Sequence, residues 1–326
     1  MLKTAESVSP RHPDKLCDRI SDAILDACLA QDPQARVAIE TMGGHGIVSI
    51  TGELTTRAQI SVREVVKSIV GDKYGIQINI VQQSPEIAQG VDTGGAGDQG
   101  IMVGYACRDN EAMIPQELYL ARSLCQYLYA RHAEDGKTQI TIDADHNIQT
   151  IVASFAKVST PTLHSLILQW LTNINLPNTN LETIVIHANP AGEWSISEFE
   201  ADTGLTGRKL AVDNYGPQIP IGGGAFSGKD ASKVDRSAAY MARKLAVDLL
   251  NNHQDIDEVM VKLAYAIGVA EPVMVSVLMD GQAIPYVSQD YNLTPQGIID
   301  FLNLRQPQFA KTAEWGHMGN GFAWDR

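Results

Sequence analysis

The amino-acid sequence predicts an α+β fold in which three structurally similar α/β repeats form a pseudo-threefold arrangement, with mixed sheets packed on helices. Segments with apolar residues at helical spacing alternate with segments rich in β-branched residues, and the order helix, strand, strand, helix, strand recurs. Glycine-rich stretches divide the chain near residues 91 and 200. We therefore expect an N-terminal repeat at 1–91, a central repeat at 95–200 and a C-terminal repeat at 201–326, with segments open to exchange between repeats.

The first repeat opens with a helix whose apolar residues recur every three or four positions until Asp32 and Pro33 end the run. Strands follow where β-branched residues dominate, and the last of them shows isoleucine alternating with polar residues. The predicted elements are a helix at 18–31, strands at 36–41 and 47–54, a helix at 58–70 and a strand at 76–80.

The same periodicities extend through the other two repeats. In the central repeat they predict a helix at 113–134, strands at 138–143 and 148–155, a helix at 162–171 and a strand at 182–187. In the C-terminal repeat they predict a strand at 209–213, a helix at 232–250, strands at 258–265 and 272–278, and a helix after Thr294.

Charge and cysteine content narrow the functional class. A net charge of −13 argues against a nucleic-acid or acidic-membrane surface, and the apolar runs are too short for a membrane span or a signal peptide. Four cysteines without a Cys-x-x-Cys pair favour a reduced, cytoplasmic location. Residues 203–244 nevertheless carry seven basic and three acidic side chains among many glycines. This stretch favours a pocket for a small polyanion over a solvated helix face.

Two short motifs could bind phosphate. His12, Asp14 and Lys15 lie within four positions before a helix, where Asp14 suits either Mg²⁺ or an ordinary helix N-terminus. Glycines at 222–228 let backbone N–H groups approach an anion, although a simple turn is the commoner use of such a stretch. Lys229 is followed by Asp230, so the spacing is not that of a P-loop. Lys229 and Lys233, four residues apart, are expected on one helical face.

Longer motifs resemble those of the methionine adenosyltransferases, in the order of that family and over nearly the whole chain. They lie at residues 6–9 and 12–15, at 95–100 (Gly-Ala-Gly-Asp-Gln-Gly), at 204–209 (Gly-Leu-Thr-Gly-Arg-Lys), at 222–230 (Gly-Gly-Gly-Ala-Phe-Ser-Gly-Lys-Asp) and at 265–272 (Tyr-Ala-Ile-Gly-Val-Ala-Glu-Pro). The resemblance implies three related α+β domains and a homodimer or homotetramer whose active sites are shared between two subunits. It also implies formation of S-adenosylmethionine from ATP and methionine, with release and later hydrolysis of tripolyphosphate.

Site residues follow from the resemblance position by position. The catalytic residues it implies are His12, Lys137, Arg208 and Lys229. The implied ATP-binding residues are His12, Asp135, Lys137, Trp194, Asp202, Arg208, Lys209, Ala225 and Lys229. The implied methionine-binding residues are Glu53, Gln89, Asp98, Asp202 and Lys233. Asp14 and Asp235 match Mg²⁺ ligands, with two ions expected per site, and Glu40 matches a position associated with an activating K⁺.

The chain departs from the family pattern mainly before residue 95. The family usually carries a longer segment between its Gln-Gly-Val-Asp motif and the motif at 95–100, but only Thr93 and Gly94 intervene here. We expect an open site and looser substrate selection. Trp194 replaces a smaller aromatic residue that stacks on adenine, Glu193 an often basic residue, and Ile221 a common histidine.

Two other functions fit parts of this pattern. A phosphohydrolase would use the same cations for polyphosphate alone, but Glu53 and Gln89 favour an amino-acid pocket. A silent nucleotide-binding subunit fits the short segment before residue 95, but His12, Lys137 and Lys229 are all present. Release of phosphate from ATP that depends on methionine would separate the three.

Overall fold

The computed structural model describes residues 1–83, 94–174, 181–285 and 291–326. Its helices are α1 (Pro13–Leu29), α2 (Val62–Val70), α3 (Gln116–Tyr129), α4 (Thr160–Asn173), α5 (Leu210–Asp213), α6 (Val234–Asn252), α7 (Pro295–Phe301) and α8 (Phe309–Trp315). Its strands are β1 (Lys3–Val8), β2 (Arg36–Gly44), β3 (Ile47–Thr55), β4 (Gly75–Val81), β5 (Gly100–Cys107), β6 (Gly136–Ile142), β7 (Ile148–Phe155), β8 (Val185–Ala188), β9 (Gly204–Leu205), β10 (Glu258–Tyr265), β11 (Met274–Met279) and β12 (Gln282–Ile284).

Three four-stranded sheets organise the described part of the chain, with the strand orders β1-β6-β7-β8, β12-β11-β10-β5 and β4-β3-β2-β9. In the first and third sheets a hairpin (β6–β7 or β2–β3) is followed by a helix and a parallel strand. The α+β fold with repeated domains that the sequence predicts is therefore confirmed. The domain boundaries near residues 91 and 200 stay a prediction.

The first strand of each repeat pairs with a strand of another repeat. Strand β1 precedes α1 but pairs antiparallel with β6 of the second repeat. Strand β5 precedes α3 but pairs with β10 of the third repeat, and β9 pairs with β2 of the first. This cyclic exchange ties the three repeats together, and it brings residues from distant parts of the chain to the N-terminus of α1.

Local sequence explains the first repeat. Pro13 occupies the first turn of α1 and His12 caps it. The apolar face of the helix, including Ile20 and Ile24, is fully buried. His45 and Gly46, which join β2 to β3, have φ of 48° and 89°, as a two-residue hairpin turn requires.

One predicted element is wrong. Residues 209–213 form the short helix α5 at Leu210–Asp213 instead of a strand. The backbone N–H of Asp213 donates to the carbonyl of Lys209 (2.8 Å), as in a helical turn. The short apolar run from Leu210 to Val212 is compatible with a strand or a helix. Asp213 is buried together with Val212 because its carboxylate pairs with Lys15. A tertiary ion pair thus overrides the local pattern.

Among the described residues, buried apolar side chains pack into two hydrophobic cores. One surrounds α3, α4 and the sheet that contains β6 and β7, and the other joins the first and third repeats around α1 and α6. Within the described ranges, no helix has the length and apolar character needed to cross a membrane.

Candidate active site

The turn between β1 and α1 brings His12 close to β6. The backbone N–H of Ser9 donates to the carbonyl of Gly136 (2.9 Å), and the N–H of Gly136 donates to Ser9 Oγ (3.1 Å). Register pairing places Val8 opposite Lys137. Lys137 Nζ lies 3.0 Å from Glu6 Oε2 and is half exposed. The site therefore combines the start of one repeat with the second repeat's first hairpin strand.

His12 is held as a neutral imidazole. Its Nδ1 accepts a hydrogen bond from the backbone N–H of Asp14 (3.2 Å), which leaves the proton on Nε2. Burial, followed by the nearby positive charge of Lys209, lowers the pKa of His12 to about 4. Lys137 and Asp202 also act on this pKa through their charges. A neutral ring with its Nε2–H free can donate to a phosphate oxygen.

Asp14 anchors the loop at residues 204–209. Its carboxylate is buried and accepts the backbone N–H of Leu205 (2.9 Å) and Lys209 Nζ (2.5 Å). Arg208 Nε lies 3.6 Å away, with its side chain 54% exposed. Burial tends to raise the pKa of Asp14, but the bonds from Lys209 and Leu205 hold it below its usual 3.8. One carboxylate thereby binds two cations, the mostly buried Lys209 and the exposed Arg208.

We call these residues the first cluster: His12, Asp14, Lys137, Asp202, Arg208 and Lys209. Asp135, one residue before Gly136, is buried, and its carboxylate accepts the backbone N–H of Glu198 (3.1 Å). Burial raises the pKa of Asp135 to about 6. Asp135 therefore supports the backbone beside the first cluster.

An open cavity of about 370 Å³ lies beside Trp194 and is also lined by Lys157, Ser159 and Glu193. The backbone N–H of Lys157 donates to the carbonyl of Trp194 (2.8 Å), and the Glu193 carboxylate accepts the N–H of Thr160 (2.9 Å). The backbone N–H of Ala156 donates to the carbonyl of Asp135 (2.9 Å), so the segment that lines this cavity is bound to the chain two residues before Lys137 of the first cluster.

A second cluster lies on the exposed face of the sheet that contains β2 and β3. The backbone of Lys229 forms an isolated β-bridge with Ala38 of β2. Ala38 is paired with Glu53 of β3. Glu40 lies two residues after Ala38 on β2, so its side chain is on the same face of the sheet. Lys229 Nζ contacts Asp235 Oδ2 at 2.6 Å. We call Glu40, Glu53, Lys229 and Asp235 the second cluster. Within the described segments, no ion pair joins the two clusters.

Lys229 and Lys233 do not share a helical face, so that prediction is wrong. Helix α6 begins at Val234, and Lys229 lies in the preceding loop. Lys233 Nζ pairs with the buried carboxylate of Asp230, which also accepts the backbone N–H of Val37 (2.7 Å). Each lysine pairs with a different carboxylate, and the loop that carries Lys229 stays outside the helix.

Tight glycine packing positions the remaining predicted residues. A Cβ on Gly224 would lie 2.2 Å from Asp235 Oδ1, and one on Gly207 would lie 2.5 Å from the Cβ of Ala225. Ala225 therefore packs against the loop that carries Arg208. Asp98 is exposed in the turn before β5, whose first residue, Gly100, adjoins Asp235. Gln89 and residues 91–93 lie outside the described residues.

The predicted metal ligands do not form a metal centre by themselves. Across the described ranges, no group of three or more His, Cys, Asp or Glu side chains converges as metal ligands. Asp14 and Asp235 belong to different clusters, and each is paired with a lysine. Each offers one carboxylate, which suits Mg²⁺ because that ion often combines one or two carboxylates with phosphate oxygens and water.

Residues that the sequence interpretation missed lie under the site. Asp18, Asp22 and Arg236 are almost completely buried, and they contact the backbones of the loops that carry Arg208 and Lys229. A spacing of four residues between aspartates on α1 was the available signal.

Comparisons with known proteins agree along the whole chain. Models of the N-terminal, central and C-terminal domains of S-adenosylmethionine synthetase match residues 1–86, 93–194 and 196–326. An S-adenosylmethionine synthase from Salinibacter ruber is 40% identical over 368 residues, covering 99% of this chain and 95% of the relative. One from Helicobacter pylori is 39% identical over 368 residues, covering 100% and 95%. A solved structure described as an unusual S-adenosylmethionine synthetase from Campylobacter jejuni matches with a TM-score of 0.88 and 33% identity, covering 100% of this chain and 96% of that one.

Proposed function

The chain belongs to the S-adenosylmethionine synthetase family, and we propose that its two clusters are the two halves of the site where ATP and methionine react. It is a methionine adenosyltransferase, a transferase that forms S-adenosylmethionine from ATP and methionine and so supplies one-carbon metabolism. The observation that carries the proposal is the convergence of Lys209 and Lys137 on a neutral His12, with Arg208 beside the adjacent Asp14.

The chemistry explains why cations matter more than a base. The sulfur of methionine has a lone pair and no proton to lose, so its attack on C5′ of ATP needs no general base. The S–C5′ bond forms, the C5′–O bond breaks, and tripolyphosphate leaves with the bonding electrons. Arg208 and Lys137 stabilise the charge that builds up on the departing phosphates, and His12 donates its Nε2–H to a phosphate oxygen.

Hydrolysis of tripolyphosphate to phosphate and diphosphate would use the same cations. The anion stays bound by Lys209 and Arg208, while water attacks a phosphorus atom and the P–O–P bond breaks. Asp14, which anchors both side chains, keeps them in place after the sulfonium product has formed.

The cavity beside Trp194 supports adenine binding. Its indole offers a flat face for stacking, and the segment that lines the cavity is bound through Ala156 to Asp135, two residues before Lys137. Asp202, exposed next to the loop at 204–209, is suited to the ribose or to the methionine ammonium group.

A homodimer would complete the site. Glu53, Lys233 and Asp98, the described residues that match methionine-binding positions, lie with or near the second cluster and not the first. Exposed apolar side chains such as Met42 and Val81 belong to β2 and β4 of the same sheet. Pairing two copies across this face would bury them and bring the second cluster of one copy to the first cluster of the other. A homotetramer would consist of two such dimers.

Members of this family use Mg²⁺ and K⁺. Asp14 and Asp235 each fit one Mg²⁺, with triphosphate oxygens supplying further ligands, and Glu40 on the exposed face fits K⁺. Bound Mg²⁺ would neutralise phosphate charge. We place the reaction in the cytoplasm, a location supported by four free, buried cysteines.

One assay tests the function. With ATP, Mg²⁺ and methionine, we expect the mass of the sulfonium product and phosphate release that depends on methionine. Lys137→Met lowers kcat by about 100-fold or more, because it removes a cation from the departing phosphates. Lys73→Met serves as the control, since Lys73 is a half-exposed lysine that pairs with Glu200. Release without methionine would indicate a phosphohydrolase, and an unaffected Lys137→Met would contradict the proposed site.

A further inference from the structure

We propose that Asp18 and Asp22 of α1 are positioning residues, which hold the backbones of the two loops that carry the phosphate-binding cations. The inference rests on the proposed function, because it assigns Arg208, Lys209 and Lys229 to the substrates. Asp18 and Asp22 themselves are too deeply buried to touch a substrate, with 1% and 0% exposure.

Four aspartates form a row along α1. Asp14, Asp18, Asp22 and Asp26 are spaced four residues apart, so they share one face, with a rise of about 6 Å between neighbours. All four accept backbone N–H groups from segments far away in the sequence. Successive aspartates of α1 therefore bind separate segments of the chain, one helical turn apart.

The two loops meet this row in the same way. Gly207, with φ of 80°, donates its N–H to Asp18 Oδ1 (2.8 Å), and Arg208 and Lys209 follow directly. Gly228, with φ of 81°, donates its N–H to Asp22 Oδ1 (2.8 Å), and Lys229 follows directly. In both loops, a left-handed glycine is fixed by a buried carboxylate immediately before the cations.

The second loop is held from two sides. Asp22 makes a two-pronged ion pair with Arg236 (2.6 and 2.9 Å), and both side chains are fully buried. Arg236 Nη1 also donates to the carbonyl of Lys229 (3.1 Å). The N–H before Lys229 and its own carbonyl are thus both bound to one buried pair, so the lysine backbone cannot rotate freely.

The first loop has a matching set of contacts. The second oxygen of Asp18 accepts Lys15 Nζ (3.1 Å), and Thr206 Oγ1 lies 2.8 Å from Ser21 Oγ on α1. Fixed loop backbones matter because cations that repel each other stabilise a transition state best when they are already in place. The aspartates of α1 hold the two loops together against this repulsion before any phosphate binds.

Asp26 provides a matched control. It continues the same row, is partly buried, and accepts the N–H groups of Gln308, Phe309 and Ala310 at the start of α8 (2.8–3.0 Å). It contacts neither cation-bearing loop through these bonds. If the row had only a structural role, replacing Asp18 or Asp26 by alanine would change stability and tripolyphosphate affinity in the same way.

The test compares Asp18→Ala, Asp18→Asn and Asp26→Ala in the full-length protein. Tripolyphosphate affinity with Mg²⁺ is measured by calorimetry, alongside kcat, the KM for methionine and the melting temperature. We expect Asp18→Ala to weaken tripolyphosphate binding and lower kcat, each by at least 10-fold, with little change in the KM for methionine. Asp18→Asn keeps an acceptor oxygen for Gly207 and recovers part of both losses. Asp26→Ala lowers the melting temperature but leaves tripolyphosphate affinity unchanged.

Equal tripolyphosphate affinity in Asp18→Ala and Asp26→Ala would overturn the inference. A second comparison combines Asp18→Ala with Arg208→Met. If Asp18 acts through Arg208, the loss caused by Asp18→Ala shrinks in the Arg208→Met background. Full additivity also contradicts the inference. If Arg208→Met alone leaves tripolyphosphate binding unchanged, the proposed site fails instead. Should Asp18→Ala not fold, Asp18→Asn carries the same comparison.

Discussion

At His12, a largely buried imidazole is kept uncharged by its burial and by the nearby cations of the proposed phosphate site. We expect its pKa to be about 4 in the free protein and to rise when tripolyphosphate binds, because the anion offsets the positive charges of Lys209 and Lys137. The titration of the ring Cε1–H by NMR, with and without tripolyphosphate, measures both values.

The same pKa has a consequence for folding. The unfolded chain binds a proton at His12 near pH 6.5, whereas the folded chain binds it only near pH 4. The free energy of unfolding therefore falls as the pH drops through this window, and His12→Asn removes that part of the dependence. Urea unfolding at pH 7 and pH 5 provides the comparison. An ordinary pKa in the free protein would contradict both expectations.

Some residues of the site could be identified from the sequence, and others could not. His12, Arg208 and Lys209 belong to motifs whose order and length identify the family, and the structure brings them together. Asp18 and Asp22 fall within the same helix, but a spacing of four residues also describes a solvated helix face. Only the fold shows that these two carboxylates are buried against loops from the last third of the chain.

Among the elements, the position of α1 depends on a buried ion pair. Lys15 is 1% exposed and lies 2.6 Å from Asp213 of α5 and 3.1 Å from Asp18. Burial alone tends to lower the pKa of Lys15, but the two carboxylates raise it, so the ammonium group stays charged. Because Lys15 joins α1 to α5, it also fixes the end of the loop that carries Lys209.

Lys15→Met is expected to lower the free energy of unfolding by about 3–5 kcal/mol, since it leaves two buried carboxylates without their cation. Chemical denaturation at pH 7 measures the loss. Lys67→Met is the control, because Lys67 pairs at the surface with Asp72, whose side chain is 85% exposed, and its loss should cost less than about 1 kcal/mol. Similar losses in the two variants would show that the buried pair adds no special stability.

Elements with a clear period were predictable, and those defined by tertiary contacts were not. The predicted helices at 162–171 and 232–250 and the strand at 258–265 correspond to α4, α6 and β10 within two residues. Helix α5 was predicted as a strand because a short apolar run such as Leu210 to Val212 is compatible with either a strand or a helix. Strand β9 has only two residues, and it exists because Gly204 and Leu205 pair with β2. No window of local sequence contains that information.

Across the whole molecule, cyclic strand exchange explains why one small site draws on residues from all parts of the chain. Strand β1 places His12 beside Lys137 of the second repeat, and β9 places Arg208 beside Asp14 of the first. The sequence predicted the repeats and left segments open to exchange between them, but it could not show which strands exchange, since Tyr265, for example, pairs with Gly100, 165 residues away.

The separation of the two clusters leads to a test of the whole assembly. Arg208→Met inactivates the first cluster and Lys229→Met the second, so each homodimer should be inactive. If every site combines the first cluster of one subunit with the second cluster of the other, a mixed dimer contains one site with both defects and one with none. Random mixing of equal amounts makes about half of the dimers mixed, so about a quarter of wild-type activity should return.

Subunits must exchange for this recovery to occur, so the two variants are unfolded and refolded together, and each is also refolded alone as the control. The recovered activity should keep the wild-type KM for methionine, because the rebuilt site contains unaltered copies of both clusters. If each chain builds its own site, every site in the mixture carries one defect and no activity returns. That outcome would require Lys229 and Arg208 of one chain to face the same triphosphate, and it would remove the reason for assigning the exposed face of β2 and β3 to a second subunit.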